Sequence, residues 1–123
     1  MNTERMSAEQ YRASARPAKK VNPETTIQNQ IRTRLRANGW FVIRHQQGMG
    51  CHKGLADLTA VRAGITVYVE VKTPKGYLSP NQESFKNDIE RAGAKYLVAR
   101  RIEDVDLLCD RESKRLFWSL EWA

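Results

Sequence analysis

Residues 57–72 read DLTAVRAGITVYVEVK, and this stretch decides the fold. Two short apolar runs, Asp57–Val61 and Ile65–Val71, flank the connection Arg62-Ala63-Gly64. β-branched and aromatic residues on both sides of a glycine-bearing turn predict a β-hairpin. The second run alternates: Val67, Val69 and Val71 fall on one face, and Tyr68, Glu70 and Lys72 on the other. Side chains two apart on a strand lie roughly 6.5–7 Å apart, so Glu70 and Lys72 project side by side. Lys and Glu are seldom buried without a partner, so a core-type strand ending in Glu-Val-Lys needs a reason. Asp57, at the start of the first run, closes the same site across the hairpin.

Metal-assisted hydrolysis of a phosphodiester suits this set. Two carboxylates from neighbouring strands, Asp57 and Glu70, are ligands for a hard divalent cation, with the Val71 carbonyl as a third oxygen. Such an ion activates water and offsets the charge growing on phosphate, and Lys72 is placed to orient the water or share that charge. The plainer reading is a turn-capping Asp57 and an edge-strand ion pair of Glu70 with Lys72. A bare Glu-x-Lys favours that plainer reading, because three-residue patterns are common by chance.

The flanking residues change the balance. Gly54-Leu55-Ala56-Asp57, twelve residues, then Glu70-Val71-Lys72 resembles the core of the PD-(D/E)XK nucleases. The continuation through Pro74, Gly76, Leu78, Ser79 and Gln82 is similar to one branch, the VRR-NUC (virus-type replication-repair nuclease) domains. Glu24 resembles the glutamate of that family's first helix. The likeness spans roughly Glu24 to Arg101 and departs at Ala56, where proline is frequent in the family. It implies one α/β domain with a mixed β-sheet flanked by helices, in the order α-β-β-β-α-β. It implies a divalent-metal-dependent endonuclease acting on DNA, with Asp57, Glu70, Lys72, Glu24 and Gln82 in the active site. Asp57, Glu70 and Val71 would hold Mg2+, with Mn2+ able to substitute. It also implies a homodimer that cuts branched DNA such as four-way (Holliday) junctions. A nicking or sequence-specific nuclease of the same fold, or a noncatalytic DNA-binding protein, are the alternatives.

Composition fits a nucleic-acid partner. The 123 residues suffice for one domain. The formal net charge of +7 and pI near 9.7 favour a polyanionic ligand. No apolar run reaches the ~20 residues that span a bilayer, and no apolar h-region marks a secretory signal. Two cysteines, Cys51 and Cys109, make no disulfide framework. An intracellular, cytoplasmic protein is expected, with a viral or prophage source as one option.

Residues 1–22 have little apolar periodicity. Their five basic residues, against Glu4 and Glu9, predict a flexible basic arm that grips phosphate or a second subunit, or is a solvated tail. The nuclease domain is expected over 23–123. Asn22-Pro23 predicts a helix start, and Asn38-Gly39 its stop near Ala37. Ile27, Ile31 and Leu35 form its apolar stripe. Glu24 lies within that stripe, aimed at a metal or favoured there by the helix dipole. Arg32 and Arg36 share an outer face and are candidate phosphate contacts, as are His52, Lys53 and Lys75.

Trp40–Arg44 predicts the first strand. His45, Cys51 and His52 in the following loop invite a zinc reading, but their spacing fits no tetrahedral pattern. Ser79-Pro80-Asn81-Gln82 is a capping-box start for a second helix. Gln82, Phe85, Ile89 and Ala92 share its inner stripe, so Gln82 serves the cap or the site. Lys95–Ala99 predicts a buried strand, and Ile102–Cys109 a short helix. The tail ending in LFWSLEW is either a last strand or a dimer contact.

Overall fold

In the computed structural model, which describes residues 22–109, three helices and a four-stranded sheet follow each other in the expected order. They are α1 (Pro23–Ala37), β1 (Phe41–Arg44), β2 (Leu58–Arg62), β3 (Ile65–Val71), α2 (Pro80–Arg91) and β4 (Lys95–Ala99). A 3₁₀ turn, Ile102–Val105, then runs into α3 (Asp106–Cys109). The sheet order is β1-β2-β3-β4. The first two pairings are antiparallel and β3–β4 is parallel, so α2 is the crossover that a parallel pair requires. Most of the basic arm and the aromatic tail lie outside the described residues. Within them, no helix is long and apolar enough to cross a membrane.

Local chemistry explains the boundaries. Asn22 Oδ1 accepts the Glu24 N–H at 2.8 Å, and Pro23 takes the first helical position. Both long helices end in a Schellman pattern: Trp40 N–H reaches Leu35 O at 3.1 Å, and Ala94 N–H reaches Ile89 O at 2.9 Å. The hairpin connection is tighter than the sequence suggested. Arg62 is already strand, paired with Ile65, and the turn is Ala63-Gly64 alone. Both turn residues have positive φ, 51° and 79°, as the twist of a two-residue hairpin requires. β2 starts at Leu58, one residue after Asp57, and β1 one residue after Trp40.

The sheet has two differently covered faces. Val42, Leu58, Ala60, Val67, Val69, Val71 and Ala99 pack under α1 with Ile31 and Leu35, closed at one end by Val105 and Leu108. Trp40 joins this core and its indole N–H donates to Leu108 O at 3.0 Å. On the other face α2 lays Phe85 edge-on against Tyr68 and Tyr96, with Ala56 beneath. The stripe drawn along α2 holds at Phe85 and Ile89 but not at Ala92, the C-cap, which is exposed. Val67, Val69 and Val71 thus face α1, while Tyr68 and Glu70 face α2, as strand alternation demands.

One contact fixes the loop before β2 against α2. Gly54 has φ +77°, and a Cβ there would lie 2.0 Å from Asn81 O and 2.4 Å from its carbonyl carbon. Backbone cannot yield as a side-chain tip can, so only glycine permits this approach. Gly64 supplies the comparison: φ +79° with nothing within 4 Å of a Cβ. Gly64→Ala is expected to cost about 1–2 kcal/mol from left-handed strain alone. Gly54→Ala should lose at least 1–3 kcal/mol more, the typical penalty of overpacking. Urea midpoints of the two variants measure the difference, and equal midpoints would refute the close-approach account.

Candidate active site

The end of the sheet where β3 finishes and β2 begins gathers the polar groups. Asp57 Oδ2 accepts the Val71 N–H at 2.8 Å and ties the entrance of β2 to the exit of β3. Lys72 N–H continues to Ala99 O at 2.9 Å. Glu70, with its neighbours on β3 sealed into the sheet, is only 3% exposed. Its Oε2 accepts Gln82 Nε2 at 3.1 Å and lies 3.7 Å from Lys72 Nζ, while its Oε1 is buried with no hydrogen-bond partner.

Gln82 makes both contacts that its position allowed, one in the helix cap and one to Glu70. Its N–H donates to Ser79 Oγ at 3.2 Å and its Oε1 accepts Ser79 N–H at 2.8 Å, completing the capping box. The remaining amide N–H reaches Glu70. Glu24 is half-buried in the first turn of α1, and its charge is felt at Glu70 without a hydrogen bond between them.

Burial pushes the Glu70 carboxyl up to about 8, the Asp57 carboxylate pushes it the same way, and Lys72 only partly offsets them. The Tyr96 hydroxyl, buried without a partner on the same face, is also raised, first by burial and then by Glu70 and Asp57. An orphaned carboxylate oxygen beside a second carboxylate is a donor set that fits a hard cation. Among the described residues no group of three or more His, Cys, Asp and Glu side chains is placed to hold a metal ion.

The other candidates are dispersed. His52, Lys53, Lys75 and Arg36 are exposed, Arg36 donating to Val42 O at 3.4 Å. Arg32 is half-buried with its Nε unpartnered, and Arg34 is committed to Asp106 at 2.6 Å. His45, Cys51 and His52 turn to separate partners: Thr59 Oγ1, Gln47 Oε1 and the Lys53 carbonyl. Sequence reasoning missed a cleft of about 440 Å³ on the far side of Asp57, lined by Gln28, Arg44, His45, Gln46 and Gln47. It also missed Arg100, whose Nη2 donates to Gly76 O at 2.9 Å and steadies the loop after Lys72. The signal for Arg44 was available, since a strand ending opposite the start of β2 delivers its last residue beside Asp57.

A raised carboxyl pKa makes folding pH-dependent with a definite sign. Glu70 holds its proton in the fold at pH values where the unfolded chain has released it. Its contribution is therefore full below about 4.5 and lost as pH rises through about 8. His45, lowered by burial against the opposing pull of Asp57, acts in the other direction and below its ordinary range. In chelator, wild type should lose melting temperature relative to Glu70→Gln between pH 5 and pH 8. Parallel curves for the two proteins would refute the buried, protonated Glu70.

A family model of the VRR-NUC domain matches residues 3–101. No curated protein matches the chain. A solved structure described as a VRR_NUC domain superimposes with a TM-score of 0.62 at 22% identity, covering 74% of this chain and 98% of that one. The fold is therefore the VRR-NUC fold, and a nuclease of this type takes DNA as its substrate. With the family pattern running through most of its length and the matching sheet-and-helix frame beneath it, the chain belongs to the VRR-NUC family, nucleases of the PD-(D/E)XK type.

Proposed function

We infer that this chain is a divalent-metal-dependent DNA endonuclease whose site is the Asp57–Glu70–Lys72 cluster. The observation that carries the reading is Glu70: a carboxylate buried to 3% exposure beside Asp57, with one oxygen unpartnered. Such an arrangement is costly as it stands and becomes favourable when a cation enters. Asp57, Glu70 and the Val71 carbonyl would hold the ion, Mg2+ by preference with Mn2+ substituting. When bound, the ion makes water a better nucleophile and stabilises the phosphate as charge builds on it.

The protein's own groups do the positioning. Gln82 orients the Glu70 carboxyl through Oε2, so that Oε1 would be left for an ion. Lys72, 16% exposed and 3.7 Å from Glu70, is placed to meet a phosphate oxygen or the attacking water. Glu24 adds negative charge at the margin of the site. His52, Lys53, Lys75, Arg32 and Arg36, together with the basic arm, would contribute phosphate contacts that hold DNA without reading sequence.

One site cuts one strand per encounter. Resolving a branched substrate requires two incisions, which a two-fold pair of chains supplies. Branched DNA cut by a homodimer is therefore the proposed working form, and a DNA substrate implies an intracellular setting.

Asp57→Ala is expected to abolish cleavage of a four-way junction in magnesium while DNA affinity stays within a few-fold, since backbone contacts supply most of it. Lys72→Ala should lose 10²-fold or more in kcat, the scale of one transition-state charge contact, with metal affinity retained. Wild-type-like cutting by Asp57→Ala would refute the assignment. Light scattering tests the dimer, and a particle of the 14.2 kDa monomer mass at micromolar concentration would refute it.

A further inference from the structure

The cleft beside Asp57 is built from three segments that meet for no purpose of the core. Gln28 comes from α1, Arg44 from the end of β1, and His45, Gln46 and Gln47 from the loop that follows. The walls are anchored. Gln47 Nε2 donates to Leu55 O at 3.0 Å and Ala56 O at 3.1 Å, stitching the loop to the entrance of β2. His45 N–H donates to Asp57 O at 2.9 Å, and its ring is held by Thr59. Between these anchors, the side chains of Gln28, Arg44 and Gln46 make no hydrogen bond or ion pair among the described residues. Two amides and one guanidinium without a side-chain partner among those residues thus line one cavity that touches a proposed metal ligand.

The chemistry of that lining is specific. A guanidinium grips phosphate in a fork of donors, and an amide offers two donors and an acceptor to the edge of a base. At about 440 Å³ the cleft is at the lower end of small-ligand sites, the scale of one nucleotide. A base within a duplex has its pairing edge engaged, so the glutamines can bond that edge only when the nucleotide is unpaired. Position along the sheet supports the same reading. β2 alone separates β1 from β3, and Arg44 ends β1 opposite Leu58, the residue after Asp57, so the cleft opens beside the candidate site.

The geometry points to a nucleotide subsite: the cleft of Gln28, Arg44 and Gln46 takes one unpaired nucleotide adjacent to the phosphate that is cut at the Asp57–Glu70–Lys72 site. This rests on the nuclease reading for the direction of the strand, and it gives that reading its substrate class, DNA with an unpaired nucleotide beside the cut. It also supplies a reason for structure selectivity without a base-reading module, since paired DNA leaves the cleft unfilled.

Binding and cleavage test it separately. The full chain is titrated, in calcium, against hairpin DNA carrying one 2-aminopurine, either paired or unpaired. Wild type should bind the unpaired form about tenfold more tightly, with a change in its fluorescence. Gln46→Ala and Arg44→Ala alter exposed side chains, so their folding is not at risk. Each should reduce the preference to within about threefold, as should Gln28→Ala once its melting curve matches wild type. Equal affinity of wild type for the two hairpins, or an undiminished preference in all three variants, overturns the subsite. Cleavage of the same hairpins in magnesium is the second arm. A chain that discriminates in binding but cuts nothing keeps the subsite and refutes the nuclease reading. A chain that cuts both hairpins equally and binds them equally keeps the nuclease reading and refutes the subsite.

Discussion

Everything at the working end of this domain is arranged around one uncomfortable group, the buried carboxyl of Glu70. Strand alternation forces it inward: with Val67, Val69 and Val71 committed to the core under α1, Glu70 must face α2. There it meets Asp57, whose carboxylate is fixed by the Val71 N–H, and Gln82, whose amide is fixed by the capping box. Lys72 is near at 3.7 Å but does not fully neutralise the pair, since Glu70 remains pushed up to about 8. The orphaned Oε1 leaves the buried carboxyl under-coordinated as well. A divalent cation, the ligand proposed for this site, would take the place of the proton and supply the missing partner.

The position of α2 is set from the opposite direction. Gly54 lets the loop before Asp57 touch the backbone at Asn81 and Gln82, so the first turn of α2 and the entrance of β2 are a single packed unit. The capping box then fixes the Gln82 side chain, and the amide left over points to Glu70. A local rule of helix chemistry and a requirement of the site are met by one residue. This explains why the G-x-x-D and S-x-x-Q pieces, far apart in sequence, belong to one pattern: they are the two sides of one contact.

The parts of the fold legible in the sequence were those with strong local causes. Pro23 and Asn38-Gly39 bound α1, the period-2 run of β3 assigned Glu70 to its face, and Lys95–Ala99 was apolar enough to be a buried strand. Boundaries were missed where tertiary pairing decides them. Arg62 is strand because Ile65 pairs with it, and Ala63 accepts a positive φ because the hairpin twist demands it. At the site, Asp57, Glu70 and Lys72 were legible because polar residues in an apolar run stand out. Gln28 was not, because a glutamine on a helix edge looks like ordinary surface, and Arg44, the last residue of a strand, stands out only once the β1–β2 pairing is drawn. Only the register Arg44↔Leu58 and the packing of α1 bring them to Asp57.

The sheet edge accounts for how one small domain can combine these demands. In a mixed sheet the antiparallel β1–β2–β3 unit returns the exit of β1, the entrance of β2 and the exit of β3 to the same end, and the parallel β4 adds a third exit there. Strand ends are where backbone pairing stops, so charged side chains can emerge beside a rigid frame without interrupting the ladder. Arg44, Asp57, Lys72 and Arg100 occupy four consecutive strand ends, a row of cation, anion, cation and cation. Arg100 is spent on the Gly76 carbonyl, which holds the loop behind Lys72. That leaves Arg44 on the α1 side of the sheet and Lys72 on the α2 side, with Asp57 between them in strand order. The frame that buries Glu70 therefore also brings the candidate site and the cleft of Arg44 to one end of the sheet.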